Sequence, residues 1–261
     1  MITILEKEMT NALWNRSSRF ADFSDPRRLA ELAHEAEVAG WDGFFIWDAM
    51  FFYPTFHPIA DPWVSLAAVA MHTQRLQIGT LVTPIARRRP WKLARETVSV
   101  DRLSNGRLIL GVGLGDSVQW DFGFFDEVTF RPTPVQSPRI PIWVGGWWPN
   151  KPPLCRAARW DGVCPIKWGV SITPAEWREI LAYVQEHRTS SAPLDAVHSG
   201  PTPVDNPAEA AAIVEPYADA GVTWWIEPVD PWLFGWSYEV PWPPEATVLV
   251  RERIQQGPPR L

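Results

Sequence analysis

Residues 106–117 read GRLILGVGLGDS: an apolar run breaks into glycines at alternate positions and ends on a carboxylate, Asp116. Glycines so placed can do one of two jobs. In a dinucleotide cradle the spacing is G-x-G-x-x-G and a helix starts at once, so that its N-terminus faces a pyrophosphate. In a barrel strand they let backbone approach a flat group closely, and the carboxylate then stands at the strand's carboxyl end, where barrel enzymes keep their reacting groups. Here the spacing is G-x-G-x-G, and the following DSVQWDFGFFDE has no helical stripe, which favours the strand. A second carboxylate, Asp48, closes the run WDGFFIWD, and His57 follows in FFYPTFHPIADPW as the histidine best placed to move a proton. Each has a plainer reading. Asp48 can pair with a neighbouring base or cap a loop, Asp116 can be a turn aspartate between Gly115 and Ser117, and His57 can be a loop residue.

Other chemistries leave no trace. There is no HExxH, no GxSxG, no Walker loop and no cluster of metal ligands. Cys155 and Cys164 are too few and too far apart for a disulfide framework or a zinc knuckle. A net charge of −6 argues against a nucleic-acid partner. No segment approaches the roughly 20 apolar residues of a membrane span, and the start MITILEKEMTNALW does not read as a secretory signal. The expectation is a cytoplasmic protein.

The elements that would hold these residues recur along the chain. Asp25-Pro26, Asp61-Pro62, Thr173-Pro174 and Asn206-Pro207 each pair a capping side chain with a proline at the first helical position, where its missing N–H costs nothing. Helices also open at Pro90 and at Pro152-Pro153. Short apolar strands stand between them: WDGFFIWD, LQIGTLVTP, RLILGVGLG, IPIWVGG, VCPI, AVHSG and VTWWIEP, with MITIL as a candidate eighth. Alternating helices and apolar strands specify a parallel sheet covered by helices. No linker divides the chain and the strand ends are spread evenly, which favours a closed (β/α)8 TIM barrel, an α/β fold, over an open doubly wound sheet. The 261 residues then form a single domain, 1–261, with 231–261 as a C-terminal extension and helix.

Taken in order, GWDGFFIWDAM, DPW, LQIGTLVTP, RRPWKLARE, LSNGRLILGVGLGD and PIWVGG resemble the luciferase-like monooxygenases, the flavin- and deazaflavin-dependent oxidoreductases. The resemblance covers about residues 25–230. It implies a barrel that holds FMN or the deazaflavin coenzyme at the strand C-termini and acts on a small-molecule substrate by hydride transfer or oxygen activation. It implies Asp48 near the cofactor ring, and a bulge behind the ring, with a cis non-proline peptide, at Thr80-Leu81-Val82-Thr83. It implies backbone contacts from Gly145, Gly146 and Trp147 to the cofactor phosphate and Lys167 as counter-charge. Asp116 falls where related enzymes carry a carboxylic acid beside the reacting face, and with His57 would shuttle protons.

The plainer readings are a tight turn for the glycine pair and a solvated side chain for Lys167. The tryptophans at strand ends (147, 148, 224, 225, 232 and 236) read first as core and lid packing.

The chain also departs from the family. Ala49 stands where a histidine often follows the aspartate. The segment 116–139 is short, so the barrel is expected to lack the helix between strands 4 and 5, with the apolar flanks there hinting at a homodimer. The alternative to an enzyme is a non-catalytic truncated relative that binds flavin weakly or serves as a partner subunit.

Overall fold

The computed structural model describes residues 9–15, 21–48, 60–114, 134–167, 169–229, 234–236, 243 and 245–259. Eight strands, β1 (Thr10–Asn15), β2 (Gly43–Ile46), β3 (Gln77–Pro84), β4 (Leu108–Gly113), β5 (Ile142–Trp147), β6 (Gly162–Ile166), β7 (Asp195–Ser199) and β8 (Trp224–Pro228), form one closed barrel in chain order. Every neighbouring pair is parallel, and closure is made by β1 against β8, with Ala12 opposite Ile226. Each of the seven strands expected between residues 41 and 228 is present. MITIL, the candidate eighth, lies outside the described residues, and Thr10–Asn15 forms the first strand of the barrel. The stretch expected to lack a helix also falls largely outside them, at 115–133.

Among the described residues, seven helices cover the sheet: α1 (Pro26–Val38), α2 (Pro62–His72), α3 (Pro90–Leu103), α4 (Lys151–Ala157), α5 (Pro174–His187), α6 (Pro207–Ala218) and α7 (Ala246–Gln255). The caps work as their residue types dictate. The Asp61 carboxylate accepts from the N–H groups of Trp63 and Val64 at 2.9 and 3.0 Å, and Thr173 and Glu176 form a reciprocal capping box on α5.

The barrel interior is filled by one inward side chain after another: Ala12, Phe45, Ile109, Trp143, Val197 and Trp224 among them. Phe45 stacks on Trp143 at 5.2 Å, and Trp224 meets Trp143 edge-on at 5.0 Å. Gly162 makes this possible, because a Cβ there would lie 2.3 Å from the Trp143 ring. The interior is a plug, so any ligand must sit above it, at the strand ends.

The opposite face, where helices turn into strands, is closed by charged side chains that saturate backbone. Arg107, 8% exposed, donates to the carbonyls of Ala70, Thr73, Leu76 and Ser104 and to the Thr73 hydroxyl, all at 2.7–2.9 Å. Glu37 accepts the N–H groups of Gln74, Arg75 and Leu76, and Asp101 accepts those of Val135 and Gln136. Asp161 accepts from Arg139 and from the Ile142 N–H.

Candidate functional site at the carboxyl ends of the strands

Strand β3 slips its register against β4 between Thr80 and Thr83. The bulge contains the cis Leu81–Val82 peptide, within the four residues where the family resemblance implied one. Behind it the polar groups are satisfied: the Thr83 hydroxyl donates to that of Thr80 at 2.9 Å, and Thr80 donates to the Gly111 carbonyl at 3.2 Å. In front stands the Val82 side chain. A Cβ on Gly113 would come within 2.6 Å of Val82 Cγ2, and one on Gly145 within 3.1 Å of Val82 Cγ1. A Cβ on Gly111 would lie 2.2 Å from the Thr80 carbonyl oxygen. Gly111 and Gly113 therefore clear room for the bulge, and Val82 packs over Gly113 of β4 and Gly145 of β5. The result is a platform made of one apolar side chain, Val82, packed on glycine backbone.

Gly145 and Gly146, neighbours in sequence, face different things. Gly145 belongs to the platform. Gly146 faces α4, where a Cβ would fall 2.2 Å from Pro153 Cβ, so its missing side chain serves helix packing. Trp147 ends β5 with 38% exposure and borders the mouth. Trp148 turns away, is buried, and donates from its indole to Glu176 at 3.1 Å.

The two charged residues expected at the mouth are both engaged. Asp48, 1% exposed, sits at the end of β2 and is gripped by Arg88, with Nη2 2.6 Å from Oδ1 and Nε 3.2 Å from Oδ2. Its carbonyl also accepts from Arg87. Asp48 thus ties the β2 exit to the β3–α3 loop, as its plainer reading had it. Lys167, at the exit of β6, lies 2.6 Å from Glu176 Oε1. The ammonium of Lys167 and the Thr173 N–H hold the Glu176 carboxyl down to about 2. A phosphate would have to share this lysine with a carboxylate that stays ionised. Asp116 and His57 lie outside the described residues.

The ends of β5, β6 and β7 border an open cavity of about 200 Å³, lined by Trp147, Ile166, Lys167, Ser171, His198 and Ser199 among others. His198 is the residue that sequence reasoning missed. AVHSG read as a weak strand, and its histidine was given no role. The available signal was a histidine one residue before the end of a buried strand. Its ring is 3% exposed, stacks on Tyr217 at 4.2 Å, and accepts a hydrogen bond at Nδ1 from the Trp177 indole, 2.9 Å away. Burial pushes its pKa down to about 4.

A parallel barrel with a packed interior and a glycine-floored mouth defines an α/β barrel whose binding end is the carboxyl face. Comparison with known proteins takes this further. Residues 9–119 match the luciferase-like monooxygenase family.

A curated relative, an F420-dependent glucose-6-phosphate dehydrogenase of Amycolatopsis mediterranei (strain U-32), is 42% identical over 99 residues. That match spans 36% of this chain and 28% of the relative's length. Among solved structures, the coenzyme F420-dependent tetrahydromethanopterin reductase from Methanopyrus kandleri superposes with a TM-score of 0.67 at 13% identity, covering 96% of this chain and 98% of that one. The oxygenating constituent of 3,6-diketocamphane monooxygenase of Pseudomonas putida, in complex with FMN, gives 0.55 at 16% identity over 79% and 71%. The curated match lies in one part of the chain, whereas the structural likeness runs through nearly all of it and concerns the fold alone.

Proposed function

We propose that this chain is an oxidoreductase that binds a flavin or deazaflavin ring against the Val82 platform and acts on a small organic substrate. The observation that carries the reading is the close packing of Gly111 on the Thr80 carbonyl and of Gly113 and Gly145 on Val82, which puts one apolar side chain and glycine backbone at the strand ends. Such a surface fits a planar ring. The matched relatives support the choice of ring, as their names carry F420 or FMN.

When bound, the ring supplies hydride transfer or oxygen activation. The chain's own part is placement and shielding. Leu81, Val82 and Thr83 back the ring, Gly145 makes room for Val82 beneath it, and Trp147 closes one side against water. Asp48, clamped by Arg88, fixes the loop at the β2 exit. Proton transfer is assigned to Asp116, with His57 as its partner. In the Asp116→Asn variant turnover falls about a hundredfold or more while coenzyme affinity holds; unchanged turnover rejects that role.

The binding claim is tested by titrating the full chain with FMN and, separately, with F420, and following the visible absorption. One of the two spectra is expected to shift and saturate. In Gly145→Val, where the side chain must displace Val82, the same titration should weaken about tenfold or more. If neither spectrum moves, the reading is wrong.

A further inference from the structure

The cavity at the ends of β5, β6 and β7 has a peculiar charge balance. Its lysine is met at 2.6 Å by Glu176, so the pair brings no net charge. Its histidine is a fixed donor. An indole N–H can only donate, so the bond from Trp177 to His198 Nδ1 requires a lone pair there, and the single ring proton must be on Nε2. Stacking on Tyr217 and contact with Trp225 hold the ring in place. Among the described residues Nε2 has no hydrogen-bond partner of its own, and a Cβ at Gly200 would lie 3.5 Å from it. His198 lines the cavity, and a fixed donor left open on a cavity wall offers itself to an acceptor. Because burial keeps the ring from protonating until about pH 4, the donor carries no charge at neutral pH.

We infer that His198 is a binding residue of the substrate subsite: its Nε2–H donates to an uncharged oxygen, the hydroxyl or carbonyl of a small neutral alcohol or ketone seated in the cavity beside Trp147 and Ser199. A phosphorylated or carboxylate ligand is disfavoured there, because Lys167 is neutralised by Glu176 and the histidine adds no positive charge. The inference rests on the oxidoreductase reading for its reaction, but its structural content stands apart from the coenzyme.

The test is long-range proton–nitrogen NMR on the full ¹⁵N-labelled chain, with the His198 signals assigned by their loss in His198→Gln. The unliganded chain should show the Nε2–H tautomer. Cyclohexanol should shift the Nε2 signal saturably, and inorganic phosphate at the same concentration should leave it in place. His198→Phe should weaken cyclohexanol binding about three- to tenfold, the worth of one neutral hydrogen bond. His198→Gln, which can accept from Trp177 and still donate, should recover most of it. An Nδ1–H tautomer, a response to phosphate in place of cyclohexanol, or no response to cyclohexanol overturns the inference. Titrating the same samples with FMN and F420 separates the two claims: a responsive His198 with silent coenzyme spectra removes the coenzyme reading and keeps the subsite.

Discussion

The two ends of the barrel treat polar groups in opposite ways. At the end where helices turn into strands, charged side chains, Arg107 and Asp101 among them buried, are spent on backbone: Arg107 on four carbonyls and a hydroxyl, Glu37 on three successive N–H groups, Asp101 and Asp161 on others. At the carboxyl end, glycines strip side chains away from the floor and the histidine over the cavity keeps one N–H unspent. Completed hydrogen bonding marks the end that holds the fold together. An open donor beside bare backbone marks the end that receives a ligand.

This contrast can be broken or sharpened by experiment. The largest effect should come from Arg107→Met, which strands several buried acceptors and is expected to cost at least about 3 kcal/mol, read from urea midpoints. Next comes acid. The folded His198 pKa near 4 lies below its ordinary 6.5, so between those values the unfolded chain takes up a proton that the native state refuses. Stability should be flat above pH 6.5 and fall as pH drops through the window, by up to about 3 kcal/mol near pH 4. His198→Phe should remove that part of the slope.

Trp177→Phe leaves His198 Nδ1 without its donor and should cost about 1–3 kcal/mol, with NMR showing the ring's proton redistributed between its nitrogens. Lys167→Met should change stability by less than about 1 kcal/mol, because the pair with Glu176 is partly exposed. If the mouth variants cost as much stability as Arg107→Met, the division between the two ends collapses.

Much of the architecture was legible in the sequence because it is written in local chemistry. Asp61-Pro62, Thr173-Pro174 and Asn206-Pro207 announce helix starts by capping, and runs such as LQIGTLVTP announce buried strands by composition. The bulge around Leu81–Val82 could be located because its strand belongs to the segment that matches the family. What depends on distant partners was not legible. Nothing in GVGLG says that its glycines answer to Val82 on another strand, and nothing in GGW says that Gly146 answers to Pro153. Asp48 could not be given its arginine, nor Lys167 its glutamate, before the loops were brought together. His198 was missed for the same reason: its tautomer is set by an indole 21 residues away in sequence.

The measurement that bears most directly on the binding end is amide hydrogen–deuterium exchange of the full chain with and without saturating coenzyme, FMN or F420. The expected result is slowed exchange at residues 80–84, 111–113 and 145–147, with the turns around Arg107, Gln136 and Asp161 unchanged. Protection at those turns, with none at the strand ends, would contradict the account.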